Sequence, residues 1–245
     1  MFAHEQLQVY AKALDFAAKA ASWSRIWDKK HALVDHLSRA TESVVVNLAE
    51  AARQRAAPGR LRIADYAIGS SLECAGCLDL ACIKGLLTQK EAHHEKARLC
   101  EVTKMLIGLR KSWGQLVCKE DQRPYMRTHA EGRKVCLFHH EELVVYQQAL
   151  GFMQWFVART RPDAPWRRVL RHLDEAGTSI VLNIAEGNGR YAELDHQQFL
   201  KVAQIGTVKA SVYVDLCAKE GLWAETEGAL GKEHLRQVNT LLESF

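Results

Sequence analysis

Apolar residues recur along most of the chain at intervals of three and four positions, the spacing that places side chains on one face of an α-helix. In the clearest stretch these positions are Leu33, Leu37, Ala40, Val44, Leu48 and Ala51. A later stretch, Leu170, Leu173, Ala176, Ile180, Ile184 and Gly187, keeps the same helical period. No segment alternates with a period of two. The pattern therefore predicts an all-α protein without a β-sheet.

A repeat organises these helical stretches. The motif His4-Glu5-x-Leu7-x-Val9-Tyr10 returns 136 positions later as His140-Glu141-x-Leu143-x-Val145-Tyr146. Asn47-Leu48-Ala49-Glu50 returns at the same spacing as Asn183-Ile184-Ala185-Glu186. A spacing of 137, which we interpret as a one-residue slip in a turn, relates Arg53 to Arg190 and Gly69 to Gly206. A shared register over this length indicates a duplication in which both halves keep one fold.

Each half contains four predicted helices joined by short connections, which is typical of an up-down-up-down four-helix bundle. The helices are predicted at about 4–22, 33–51, 60–87 and 90–113, and at about 140–159, 170–187, 192–222 and 225–243. We therefore predict two tandem up-down-up-down four-helix bundles, at 1–113 and 138–245. The segment 114–137 has no counterpart in the repeat, contains Pro124 and Gly132, and is predicted to be a linker.

Composition predicts the cellular compartment and argues against disulfide bonds and a metal site. No apolar run reaches the roughly 20 residues that a membrane span needs, and the N-terminal sequence lacks a signal-peptide pattern, so we expect a cytoplasmic protein. The seven cysteines are an odd number, which favours reduced thiols. Cys74 and Cys77 form a CxxC inside a helical apolar pattern, where cysteine packs as a small core residue. We expect no metal and no cofactor.

Three motifs together resemble a bacterial four-helix-bundle family. They are the opening Glu-x-Leu-x-Val-Tyr, the segment from Ser179 to Arg190, and a later helix that contains Gly followed by Ser or Thr. The family includes the 23S rRNA intervening-sequence proteins and the accessory variability determinant proteins of diversity-generating retroelements. The first half matches the Ser179–Arg190 motif less well, because it has Ala51 and Ala52 where the second half has Gly187 and Asn188.

The resemblance implies a bundle that assembles into a ring, typically a pentamer, with a basic surface that contacts nucleic acid. In the retroelement member it also implies a reverse transcriptase as a partner. Whole chains that carry two bundles cannot close a five-bundle ring. We therefore expect a monomer or a small even oligomer, in which the halves pack as a pseudo-dimer or one half enters a ring and the other decorates it.

The repeated polar motif consists of Asn47, Glu50, Asn183, Glu186, Gly187 and Gly189. One interpretation is a carboxamide and a carboxylate that perform chemistry. The alternative, which we favour, is a hydrogen-bond network that fixes the register of the bundle, because buried polar groups need partners. The two glycines are too few for a dinucleotide-binding motif and follow a helix, so they predict a turn.

Charge differs between the halves. The net charge is +5 for 1–113, +2 for 114–137 and −3 for 138–245. The arginines that we predict to bind nucleic acid are Arg53, Arg55, Arg60 and Arg62 in the first half and Arg167, Arg168, Arg171 and Arg190 in the second. The alternative interpretation is a solvated surface without a ligand.

The sequence thus predicts a non-enzymatic adaptor that binds RNA or DNA, a nucleic-acid enzyme such as a reverse transcriptase, or both. The alternative is a protein–protein scaffold that does not bind nucleic acid. The opposite charges of the halves favour their packing on each other.

Overall fold

The computed structural model describes residues 2–54, 56–114, 137–160 and 167–244. This part of the chain forms eight α-helices and no strand, as the period of the apolar positions predicted. They are α1 (Gln8–Ile26), α2 (Ala32–Arg53), α3 (Ala57–Ile83), α4 (Gln89–Gly114), α5 (Val144–Val157), α6 (Arg168–Gly187), α7 (Glu193–Lys219) and α8 (Glu225–Glu243). All of the predicted linker except its two end residues lies outside the described residues.

Two four-helix bundles follow one another along the chain. In the first bundle each of α1 to α4 packs against the next, and α4 packs back on α1; α5 to α8 form the same cycle. The predicted apolar face of α2 forms the centre of the first bundle, where Leu33, Leu37, Val44 and Leu48 are buried. Burial of such a stripe is the main source of stability for helices of this length.

The same elements begin 136 positions apart in the two bundles. A 3₁₀ turn at Ala3–Gln6 precedes α1, and one at His139–Glu142 precedes α5. Gly85 and Gly221 both adopt φ of 69°, the left-handed conformation that ends a helix and favours glycine. We call two residues equivalent when they are 136 positions apart.

The predicted slip between Gly69 and Gly206 is wrong. Helices α3 and α7 have equivalent first and last residues. Moreover, the hydroxyl of Thr103 contacts Ser71 Oγ at 2.9 Å, and the equivalent pair, Thr207 and Asn239, is joined at 3.1 Å. Gly69 is therefore equivalent to Ile205. The slip was inferred from matches of single residues, which the register of the helices does not follow.

Pro58 and Gly59 lie inside the first turn of α3 rather than in the turn before it. Proline is tolerated there because the first backbone N–H groups of a helix have no partner within the helix. The helix consequently begins three residues earlier than the sequence pattern predicted.

The bundles pack on each other through α3, which contacts α6 and α5, while α6 also contacts α2. Near the C-terminus of α3, Lys84 pairs with Asp174 in the first turns of α6. Near the N-terminal half of α3, Gly69 lies against Gly189, just beyond the end of α6. The two helices therefore run antiparallel. No comparable contact joins α7 to α1 or α2 in the described part of the chain, so the contact between bundles is not two-fold symmetric.

Helix α3 is covered on both sides, by its own bundle and by the second one. Its segment Pro58–Ile83 is long and apolar enough to cross a membrane by length and composition, but 72% of the apolar window is buried inside the protein. A helix that is apolar all round is expected where two layers cover it.

Candidate nucleic-acid interface

Three of the predicted arginines meet at one end of the first bundle. Arg53 is the last residue of α2, and Arg60 and Arg62 lie in the first two turns of α3. Only three residues separate the two helices, so the three side chains share this end. Arg53 and Arg62 are exposed and Arg60 is half-buried, while Arg55 lies outside the described residues.

Arg60 stacks on an aromatic ring at this end. Its guanidinium carbon lies 3.9 Å from the centre of the Trp113 ring, near the C-terminus of α4. Burial lowers the pKa of Arg60 from its usual range, although an arginine stays protonated at neutral pH. The exposed Lys111 belongs to the same last turn of α4. We call Arg53, Arg60, Arg62 and Lys111 the basic end.

Arg190 does not belong to this surface. Its side chain is 6% exposed and pairs with Glu186. Its guanidinium carbon lies 5.0 Å from the ring centre of Tyr66 in the first bundle and 4.6 Å from that of Phe199 in the second. The prediction that Arg190 contacts phosphate was wrong, because the side chain is enclosed where the two bundles meet.

A neighbouring arginine that the sequence did not single out also serves the junction. Arg110 of α4 donates to Asp65 at 3.2 Å through one of its terminal nitrogens. Its guanidinium carbon lies 3.4 Å from the ring centre of Tyr191 in the second bundle. Burial raises the pKa of Asp65 even though Arg110 opposes the shift. Arg110 thus ties the first bundle to the α6–α7 connection.

The second group of arginines lies at the opposite end of α6. Arg167 precedes the helix, whereas Arg168 and Arg171 lie in its first turn, and all three are exposed. Because the C-terminal end of α6 lies near the N-terminal half of α3, the 20 residues of α6 separate this group from the basic end by about 30 Å. Arg167 also pairs with Glu220 at 3.6 Å. The two groups do not form one patch.

The repeated asparagines bond first within their own helix. Asn47 Nδ2 donates to the Ser43 carbonyl at 2.8 Å, and Asn183 Nδ2 donates to the Ser179 carbonyl at 2.7 Å. In the first bundle the network continues to the next helix, because Ser43 Oγ lies 2.7 Å from Ser70 Oγ of α3. In the second bundle glycine occupies the position equivalent to Ser70. The register-fixing network is therefore interhelical in one bundle only.

The repeated glutamates have different surroundings. Glu50 is exposed, whereas Glu186 is half-buried at the junction and pairs with Arg190. Burial and the nearby carboxylate of Glu73 raise the pKa of Glu186 to about 7, while Arg190 acts in the opposite direction.

Gly187 and Gly189 allow close approach rather than ligand binding. A Cβ atom at Gly187 would lie 2.9 Å from Phe199 Cβ. A Cβ atom at Gly189 would lie 2.8 Å from Leu72 Cδ1 and 2.9 Å from Gly69 Cα in the first bundle. The two glycines therefore let the α6–α7 turn fold back and let the bundles touch.

The sequence did not predict a partly buried polar cluster that lies between the bundles. Lys96 Nζ lies 2.8 Å from Asp79 Oδ1 and 2.6 Å from Glu141 Oε1, and Tyr146 donates to Asp79 at 2.9 Å. Asp79 and Lys96 belong to the first bundle, whereas Glu141, Tyr146 and the adjacent His140 belong to the second. The repeated motif with His140, Glu141 and Tyr146 was visible in the sequence. Its partners in the first bundle were not.

The cluster contains one set of atoms that could hold a metal ion. Ligand atoms of Asp79, His140 and Glu141 lie within 4.8 Å of one another. The ammonium group of Lys96 already contacts both carboxylates. Burial lowers the pKa of His140 well below its usual value and raises the pKa of Glu141. A cavity of about 220 Å³ borders the cluster and is lined by Lys96 and Tyr146, among other residues.

Cys74 and Cys77 are fully buried in α3. Burial raises the pKa of both thiols well above the usual value, with Glu73 adding to the shift. The thiolate is the reactive and metal-binding form of cysteine, so these residues act as core side chains.

The comparisons with known proteins bear on the first bundle. The family model described as "23S rRNA-intervening sequence protein" matches residues 5–108. No curated protein and no solved structure matched the chain. The match spans α1 to α3 and most of α4, and it contains three of the four residues of the basic end. Over its first bundle the chain is therefore similar to the 23S rRNA-intervening sequence proteins.

Proposed function

We propose that this chain is a non-enzymatic adaptor that binds RNA through the basic end of its first bundle. The observation that carries the proposal is the position of Arg53, Arg60 and Arg62 at one end of the first bundle. This bundle matches a family model whose description contains the name 23S rRNA. The first half also carries a net charge of +5, which favours association with a polyanion.

The cations of the basic end are available to a ligand. Neither Arg53 nor Arg62 has an acidic side chain within 4.0 Å among the described residues, whereas Arg167, in the second group, pairs with Glu220. Exposed arginines without an internal partner contact phosphate oxygens without first losing a salt bridge. The stacking of Arg60 on Trp113 holds a third guanidinium at the same surface.

Binding rather than catalysis is supported by the state of the polar groups. In the partly buried cluster, Lys96 contacts both Asp79 and Glu141, and at the junction Arg190 pairs with Glu186. The Cys74 and Cys77 thiols are protonated in the core. These groups form structural contacts between helices and bundles, and none of them carries an activated nucleophile.

The proposal is tested by fluorescence anisotropy with a short single-stranded RNA, an RNA duplex and the corresponding DNA molecules. Replacement of Arg53, Arg60 and Arg62 by glutamine is expected to weaken RNA binding by roughly 10- to 100-fold, at about 1 kcal/mol or less per exposed contact. The matched control replaces Arg167, Arg168 and Arg171 by glutamine and removes the same charge. If the control variant loses as much affinity as the first one, the basic end is not the binding surface.

A protein–protein scaffold without RNA binding is the second candidate function. It is favoured by the exposed apolar side chains of α7, which include Ile205 (55% exposed) and Val208 (61%). No RNA affinity in the wild-type chain would support this function instead.

The finer parts of the proposal have separate support. A reverse transcriptase as partner rests on the resemblance of the sequence motifs, and copurification of the two proteins tests it. We infer a duplication from the common spacing of 136 residues between the two sets of helices. Binding to ribosomal RNA would place the protein in the cytoplasm.

A further inference from the structure

One face of α7 exposes a continuous row of apolar side chains. The row consists of Val202, Ile205, Val208, Val212 and Leu216, which are 41–61% exposed. Their spacing of three, three, four and four residues places them along one side of the helix. Apolar rows of this kind on a soluble protein mark sites of protein association. We call this row the α7 stripe.

The α7 stripe is equivalent to the face of α3 that holds the two bundles together. The equivalent residues are Tyr66, Gly69, Leu72, Gly76 and Leu80. A Cβ atom at Gly76 would lie 3.0 Å from Leu182 Cδ2 of α6, and Leu72 lies against Gly189. Leu72 and Leu80 are fully buried. The second bundle therefore exposes the surface that the first bundle uses to bind its neighbour.

The first bundle exposes the matching surface. Phe2 is 72% exposed and Val46 of α2 is 61% exposed. Their equivalents, Phe138 and Leu182, are only 1% and 2% exposed. Leu14 of α1 is also exposed, at 43%, and its equivalent lines the cavity at the junction. We call Phe2, Leu14 and Val46 the α1–α2 face.

The polar cluster of the junction also has equivalents on the outer surfaces, one part on each bundle. Asp215 and Lys232, equivalent to Asp79 and Lys96, are joined at 2.8 Å on the surface of the second bundle. Glu5 is equivalent to Glu141, which Lys96 contacts, and is exposed on the first bundle. The rings of His4 and Tyr10 meet edge to face at 4.5 Å, as those of His140 and Tyr146 do at 4.8 Å. Each part therefore keeps, within its own bundle, the arrangement that its equivalent has at the junction.

The charges at one further pair of positions favour such a contact. Within the chain, Glu73 of α3 lies near Glu186 of α6, and the two carboxylates oppose each other. Their equivalents are Lys209 on α7 and Glu50 on α2, both exposed. In a contact between two chains, Lys209 and Glu50 would attract each other, whereas Glu73 and Glu186 repel each other within the chain.

We propose that the α7 stripe binds the α1–α2 face of a second copy of this chain. Lys232 of one copy would contact Glu5 of the next, in the way that Lys96 contacts Glu141 inside the chain. Ile205 and Val212 are bulkier than the glycines they replace, so α7 and α2 stand farther apart than α3 and α6. The contact is head-to-tail, and repeated addition gives a closed ring with an even number of bundles or a filament.

The test measures mass by light scattering over a range of protein concentrations. The wild-type chain is expected to exceed the mass of one chain as its concentration rises. Val208→Asp on α7 and Val46→Asp on α2 should each prevent this growth, and because both side chains are exposed, neither substitution disturbs the core. A mixture of the two variants should form a complex of two chains and nothing larger, since each retains one working surface.

Lys232→Gln should weaken association by roughly 30-fold or more, because Glu5 then loses its partner in the contact. Leu230→Asp is the matched control, since Leu230 is 57% exposed and lies on neither surface. It should associate as the wild type does. A wild-type chain that keeps the mass of one chain at every concentration overturns the proposal, as does a mixture of Val208→Asp and Val46→Asp that forms no two-chain complex.

Discussion

The ammonium group of Lys84 in the first bundle donates a hydrogen bond to the carboxylate of Asp174 in the second bundle, and these side chains are 1% and 0% exposed. The other carboxylate oxygen accepts from the backbone N–H of Ala32 at 3.0 Å. Neither side chain has an equivalent of the same type in the other half of the chain, where Glu220 and Ser38 stand. This ion pair therefore belongs to the joining of the bundles and not to the fold of either one.

Removal of one partner of this pair should be costly. Lys84→Met leaves the Asp174 carboxylate buried without its cation, and we expect the free energy of unfolding to fall by about 3–5 kcal/mol. Urea denaturation followed by circular dichroism measures the change. The double variant Lys84→Met/Asp174→Leu removes both charges and should lose much less. A single variant as stable as the wild type would contradict the burial of the pair.

Glu186 should make stability depend on pH. Its pKa of about 7 in the folded protein lies above the ordinary value of 4.5, so the folded state binds this proton more tightly than the unfolded state. The resulting stabilisation is fully present below about pH 4.5 and is lost as the pH rises to about 7. It amounts to about 3 kcal/mol.

The comparison of wild type with Glu186→Gln isolates this effect, because the buried His140, whose pKa is lowered, contributes with the opposite sign at acid pH. The difference in unfolding free energy between the two proteins should change between pH 4.5 and 7. Glu50→Gln, at the equivalent exposed position, is the control. A difference that stays constant across this range would contradict the shifted pKa.

Glycine at position 189 should be required for the contact between bundles. Gly189→Ala places a methyl group 2.8 Å from Leu72 Cδ1 and 2.9 Å from the Gly69 backbone. We expect a loss of about 1–3 kcal/mol in unfolding free energy. At Gly108, in α4, a Cβ atom meets nothing within 4 Å. Gly108→Ala should therefore stabilise the protein by about 0.4–1 kcal/mol. Equal thermal midpoints for the two variants would contradict the close approach.

Sequence periodicity was sufficient to predict the helices, because one apolar stripe per helix determines which side is buried. It did not reveal which helix joins the bundles. Tyr66, Gly69 and Leu72 on α3 carry the junction, whereas their equivalents on α7 are Val202, Ile205 and Val208, which are also apolar. A face that is apolar in both copies does not indicate which copy is covered.

The candidate site was predicted only in part for a related reason. Arg53, Arg60 and Arg62 are close in sequence and come together because α2 and α3 share a short turn. Arg190 resembles them in sequence, but its neighbours Tyr66 and Glu186 enclose it at the junction, and that contact is set by tertiary packing. Lys96 and Glu141 are 45 positions apart, so no local pattern brings them together.

The dependence of RNA affinity on salt concentration tests the central claim most directly. If Arg53, Arg60 and Arg62 each contact one phosphate, log Kd should rise with log salt concentration with a slope of about 2–3, at roughly 0.7–0.9 per contact. Arg62→Gln should lower that slope by about 0.7–0.9, and Arg168→Gln should leave it unchanged. A slope near zero for the wild type, or one that Arg62→Gln does not alter, would contradict RNA binding at the basic end.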